Sequence, residues 1–314
     1  MGHRSWLLMG LLAALWGASY MFIEVNLDDG MSPVFLVFAR LALGSLVLVP
    51  LALREGALGE IGRYRRAIAF VAVVQVAVPF LLIALGQRHI ASSLTGILIA
   101  SSPIFTALIA ARYDAEERPY GIAIAGVAVG IVGVALLFGL DLSGDSQALA
   151  GGLMVVLAAL GYAVGALYLK HGLRGMPPIG IAAATVTLAA LLMAPFAAFA
   201  MPGDAPSVQA LGALLALGAG SSGVGFWIFY TLVRDVGPGR ASLVAYIAPG
   251  FSVIYGATLL DETITAGAIA GLLLILAGSW IAAEGRLPRR ARATPVAPLE
   301  PPPAPPAPPA REPA

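Results

Sequence analysis

Polar positions along this chain gather in short clusters, and the apolar stretches between them run for about twenty residues without the alternation of a strand. Ten such stretches can be marked, near residues 5–26, 33–53, 67–86, 90–111, 119–139, 148–170, 179–200, 207–234, 239–260 and 264–284. About 20 helical residues cross a hydrocarbon core about 30 Å thick. Backbone groups in lipid have no water to bond, so these stretches must satisfy themselves as helices, and the period-two pattern of a barrel is absent. The first stretch superficially resembles a secretory leader, with Arg4 ahead of an apolar run ending in Gly17-Ala18-Ser19. It continues to about Asn26 and nine more follow, so it reads as a retained span.

The pattern also repeats. A shift of 146 residues carries Pro103-Ile-Phe105 onto Pro249-Gly-Phe251, and pairs Phe80 with Phe226, Arg88 with Arg234, Glu116 with Glu262, Gly121 with Gly267 and Trp16 with Tyr162. Chance identity between two Ala/Gly/Leu-rich stretches is the competing explanation, but Pro, Phe, Arg and Glu are scarce enough to weigh against it. Each copy holds five spans, an odd number, so the second must enter the membrane from the opposite face. The predicted fold is therefore an all-α membrane protein of ten transmembrane helices in two inverted five-helix repeats. The repeats occupy 5–139 and 148–285, followed by a Pro/Ala-rich tail over 286–314. Inverted repeats are the usual build of secondary transporters.

Composition and charge sharpen this picture. Hydrophobic residues make up 59% and charged residues 11% of 314, too little charge to clothe a water-facing surface. Of the 18 basic residues, all but Arg40 and Arg88 fall on one face of the predicted topology, which the positive-inside rule assigns to the cytoplasm. The other face carries Asp28, Asp29, Asp141, Asp145, Asp204, Asp261 and Glu262. Both termini are thus expected in the cytoplasm of a multi-pass inner (plasma) membrane protein. The absence of cysteine excludes disulfides, thiolate chemistry and Cys-based metal sites. Proline runs such as Pro301–Pro309 leave the tail extended or disordered, with Arg286, Arg289, Arg290 and Arg292 placed for anionic headgroups.

Certain motifs are similar to those of one family. Five-plus-five spans, Leu15-Trp16-Gly17-Ala18-Ser19 in the first helix, Arg40 in the second, Ser102-Pro103-Ile-Phe-Thr-Ala107 with Glu116, and Ala248-Pro249-Gly-Phe-Ser252 with Glu262 resemble the EamA branch of the drug/metabolite transporter superfamily. The resemblance covers residues 5–285 and implies transport of a small organic solute such as an amino acid, a related metabolite or a drug-like molecule, more often outward than inward. One departure is Tyr162-Ala163 where the first copy has Trp16-Gly17.

Several residues inside the spans invite a functional reading beside a structural one. Pro103 and Pro249 lie at equivalent points and free the carbonyls of Ile99 and Ala245, which makes them pliable points of a solute path or ordinary packing kinks. Ser101 and Ser102 offer hydroxyls to either the freed backbone or a solute. Trp16 and Tyr20 share a face of span one, and Trp227 and Tyr230 a face of span eight; Tyr162 and Tyr246 are weaker candidates. These rings suit a solute wall or helix packing equally. Gln75 bonds a solute or bridges helices, while Arg40 faces the interior or snorkels to headgroups. Glu24 is the carboxylate placed to pair with Arg40 or carry a proton, unless it simply meets water. The glycine pairs Gly126/Gly130, Gly161/Gly165 and Gly267/Gly271 permit close helix approach.

An intramembrane enzyme acting on lipid-borne substrates is the competing class. It needs acids, bases, nucleophiles or metal ligands in the membrane, yet His3, His89 and His171 all lie near span ends and no hydrolase or metal motif occurs. A passive assembly subunit would gain nothing from an inverted repeat. The expected partners are a small-molecule solute and the lipid bilayer, not nucleic acid, with a homodimer left open; no cofactor is expected.

Overall fold

The structure, a computed structural model, describes residues 2–113, 121–173 and 175–284, and every regular element among them is helical. Ten spans follow in order: His3–Asp28, Pro33–Arg54, Ile61–Gly86, Ser92–Tyr113, Ile122–Leu140, Ser146–Gly172, Pro178–Ala198, Val208–Val236, Val244–Leu259 and Ala266–Glu284, numbered 1 to 10 here. Eight are long and apolar enough to cross a membrane, and the last two are shorter apolar helices. Span 3 starts at Ile61 rather than near 67, because Arg63, Arg65 and Arg66 continue the helix past the apolar limit that hydropathy detects. The Pro/Ala-rich tail, Glu116 and Arg118 lie outside the described residues.

Local chemistry sets the helix starts. The Ser32 hydroxyl accepts from Phe35 N–H at 3.2 Å ahead of Pro33, whose missing N–H costs nothing in a first turn. Asp145 accepts from Gln147 and Ala148 N–H at 2.8 and 3.2 Å, and the Ser207 hydroxyl from Ala210 N–H at 3.1 Å.

Packing expresses the duplication. Spans 5 and 10, and spans 2 and 7, pair with their own register equivalents; span 1 packs on spans 8 and 9, as span 6 packs on spans 3 and 4. This exchange is what a twofold relation between inverted repeats produces. Small residues allow it: a Cβ on Gly278 of span 10 would stand 2.6 Å from Gly130 Cα and 2.7 Å from the Gly126 carbonyl of span 5. Gly161 and Gly165 likewise admit span 3, with the Val74 carbonyl 2.7 Å and the Gln75 Cβ 2.5 Å from their would-be Cβ atoms. The glycine pairs therefore serve contacts inside the bundle. Gly278→Leu should force spans 5 and 10 apart, and because the neighbours are backbone the cost should exceed the about 1–3 kcal/mol of overpacking an ordinary core, read as a lower melting temperature in detergent. An unchanged melting point would refute the close approach.

Three irregularities interrupt the spans. Span 3 holds a π-helical segment at Ala72–Ala77 and span 8 another at Ala216–Val224, overlapping under the 146-residue register. Span 4 stops at Ile99 and resumes at Ser102, just before Pro103, whereas span 9 runs unbroken through Pro249.

Candidate functional site

Arg40 of span 2 turns inward instead of snorkelling. It is 8% exposed, its Nε donates to the Ser222 hydroxyl at 2.8 Å, and its guanidinium lies 4.0 Å from the centroid of the Phe80 ring. Ser222 belongs to the π-helical segment of span 8, and Gly44 lets that segment approach, since a Cβ there would meet Ser222 Cβ at 3.1 Å. The phenol side chains of Tyr20 and Tyr162 lie near Arg40. Arg40 and Glu24 make no ion pair, so the pairing considered from sequence is not formed.

Aromatic rings extend this cluster in a symmetric way. Trp16 meets Phe226 with centroids 6.0 Å apart, and Tyr162 meets Phe80 at 6.4 Å; each contact is the register image of the other. Trp16 also packs on Phe229 at 5.4 Å, and Tyr230 stacks on Phe226 at 6.3 Å. The Trp16 indole donates to the Ser221 carbonyl at 3.2 Å, while the Ser221 hydroxyl donates to the Leu15 carbonyl at 2.8 Å. Trp227 is 41% exposed and stands outside this ring group.

A cavity of about 380 Å³ opens at the end of span 1 on the face of the acidic loops, lined among others by Glu24, Asp28, Ser32, Gln87 and Arg88. At its floor the Gln87 amide donates to the Glu24 carboxylate and to the Tyr20 carbonyl, both at 3.0 Å. Gln87 is 2% exposed and its own carbonyl oxygen takes no hydrogen bond among the described residues. Trp16, Tyr20 and Glu24 recur every fourth residue, so one face of span 1 runs from the ring cluster to the cavity.

The break in span 4 is tied to both neighbours. The Ser279 hydroxyl of span 10 donates to the Ala100 carbonyl at 3.2 Å, and the Ser279 carbonyl accepts from the Tyr246 hydroxyl at 3.4 Å. Ser101 turns back to the Leu98 carbonyl at 2.6 Å; Ser102 and Pro103 open the second half of the span. Gln75, in the π-helical segment of span 3, presses on Gly165, and its Oε1 is buried with no hydrogen bond among the described residues. Thus Trp16, Tyr20, Arg40, Tyr162 and Tyr230 lie in one cluster with Phe80 and Phe226, Glu24 marks the cavity, Ser101–Pro103 and Tyr246 lie at the break, and Pro249 is buried in span 9. Sequence reasoning passed over Phe80, Ser222 and Gln87. The register singled out Phe80, and the run Gly218–Gly225 was a sign that span 8 would loosen near Ser222.

The EamA-like transporter family matches residues 4–139 and again 149–283. A protein of Escherichia coli (strain K12) named "Probable amino-acid metabolite efflux pump" is 25% identical over 302 residues, spanning 93% of this chain and 98% of its own. "Uncharacterized transporter YoaV" of Bacillus subtilis (strain 168) is 24% identical over 277 residues, spanning 86% and 94%. "Uncharacterized inner membrane transporter YedA" of Escherichia coli (strain K12) is 26% identical over 268 residues, spanning 82% and 84%. One solved crystal structure superposes with a TM-score of 0.64 at 17% identity, covering 91% of this chain and 100% of its own, which speaks to fold alone.

Proposed function

This chain belongs to the EamA-like transporter family, and from that premise we propose that it is a secondary carrier moving a small organic metabolite out of the cell by alternating access. The observation that carries the reading is the pair of equivalent ring contacts, Trp16–Phe226 and Tyr162–Phe80, one for each repeat, around a buried polar cluster. A symmetric lining at the junction of two inverted halves suits a site exposed to either face in turn. The halves 5–139 and 148–285 are the units that rock, both termini lie in the cytoplasm, and the tail 286–314 takes no part. Efflux of amino acids and related metabolites follows the name of the Escherichia coli relative.

Flux into proteoliposomes tests the proposal with a panel of amino acids, nucleosides, sugars and cationic drugs. Saturable uptake of at least one class is expected; turnover of a substrate without movement would replace the carrier by an enzyme. Reporters at Gly59 and Gly203 should lie in different compartments.

Coupling to protons would run through Glu24, which stands at the cavity floor with Gln87 as its hydrogen-bond donor. Glu24→Gln keeps the shape and removes the ionisable group, so flux in the variant should lose its dependence on pH. If the pH profile matches that of the wild type, Glu24 is not the coupling group.

A further inference from the structure

Arg40 is a feature of the cluster that the duplication does not repeat. The register places Val186 at its equivalent and Val76 at that of Ser222, so the cation has no counterpart in the second half although the rings beside it do. Withdrawing a guanidinium from water costs several kcal/mol even after relaxation, and a carboxylate partner normally offsets it. No carboxylate does so here: among the described residues Arg40 makes no ion pair. A guanidinium has five N–H donors. Nε uses its one on Ser222, whereas the terminal nitrogens have no hydrogen bond among the described residues and are not sealed off from open space. Phe80 supports the planar group from one face and Ser222 fixes its rotation. What is presented is a preoriented fork, the geometry that takes a carboxylate bidentately.

We infer that Arg40 is the recognition point for a carboxylate on the solute, and that this carrier's substrates are small organic acids and zwitterionic amino acids, with cations and neutral sugars excluded. The Trp16, Phe226 and Tyr230 rings of the same cluster supply a wall without a charge, against which the solute's apolar body packs.

This inference rests on the carrier reading, and the test separates the two. The purified full chain is examined with phenylalanine, phenylacetate, glutamate, phenylalaninamide, phenethylamine and glucose, by thermal shift in detergent and by flux in proteoliposomes. Wild type should bind and move carboxylates and not their amide or amine analogues. Arg40→Gln should weaken carboxylate binding about 10- to 100-fold, the range for a charge-assisted hydrogen bond. Arg40→Lys, which keeps the charge and loses the fork, should fall between, and Ser222→Ala should weaken binding while leaving the charge in place. Saturable flux of amides or amines, or flux indifferent to Arg40→Gln, overturns the inference and leaves the carrier standing. Carboxylate binding that Arg40 controls, without flux of any solute, keeps the site and removes the carrier. Neither binding nor flux of any carboxylate removes the site.

Discussion

Glu262→Ala is expected to loosen the face of the acidic loops and lower the melting temperature by more than any other single truncation outside the ring cluster. Glu262 lies in the turn between spans 9 and 10, yet its two carboxylate oxygens accept from the backbone N–H groups of Ser92 and Ser93, at 2.8 and 3.0 Å. Those amides open span 4, so one repeat caps a helix of the other, and both serine residues are buried. The first-turn amides of a helix have no partner within it and carry its positive end, which makes a carboxylate the fitting cap. The turn holds the cap in place: Asp261 adopts φ +53° and Glu262 N–H donates to the Gly256 carbonyl at 3.0 Å. Truncation leaves two buried donors unmet, each costing about 1–3 kcal/mol. Glutamine also fails, because it turns an amide donor toward one of them. If spans 4 and 9 separate here when the site opens to this face, each 1.4 kcal/mol lost shifts the open-to-closed ratio about tenfold. The chain lacks cysteine, so labelling of Leu94→Cys on a Glu262→Ala background reports that shift directly. Faster labelling and earlier melting are the expected pair; wild-type values for both would mean that the cap holds nothing together.

Much of this architecture was written in the spacing of apolar residues, because a lipid core imposes one solution on any long apolar stretch. Ten helices and their inverted pairing follow from hydropathy and from the recurrence of Pro103 and Phe80 at Pro249 and Phe226. Side-chain direction is a different matter. Nothing in the neighbourhood of Arg40 along the chain tells whether it reaches headgroups or turns inward; Phe80 and Ser222, from spans 3 and 8, decide it. The two prolines show the same limit. Both remove an amide donor, but span 4 breaks where Ser279 can take the Ala100 carbonyl, and span 9 continues as helix. Likewise Glu24 met Gln87, more than sixty positions away, rather than Arg40. The π-helical segments are the subtlest case, since Pro79 and the run Gly218–Gly225 occupy corresponding places yet loosen their helices by different means, a missing amide in one and missing side chains in the other.

Gly17→Val should prevent the ring cluster from assembling at all. Span 9 crosses span 1 at Gly17, where an added Cβ would stand 2.5 Å from Phe251 Cβ, 2.6 Å from the Ala248 carbonyl oxygen and 3.1 Å from Ser252 N. Two of these neighbours are backbone, so no change of rotamer relieves the clash and the helix itself must move. It has little room, because on its far side Ser252 presses on Gly96 of span 4, whose Cβ would meet Ser252 Cβ at 2.6 Å. Span 9 is thus wedged between spans 1 and 4 by two glycines. Displacing it disturbs Trp16, the next residue, and with it the contacts to Phe226 and Phe229. Overpacking of an ordinary core costs about 1–3 kcal/mol; against backbone on a wedged helix the cost should exceed that, so that little folded protein reaches the membrane. The second repeat tolerates a methyl at the equivalent Ala163, which is wholly buried, so Gly17→Ala measures how much tighter the first crossing is. Gly10→Val is the control on the same helix, since a Cβ at Gly10 has no neighbour within 4 Å. Accumulation, melting temperature and flux should be near wild type for Gly10→Val and severely reduced for Gly17→Val; equal behaviour of the two would show that span 9 does not close on span 1 as described.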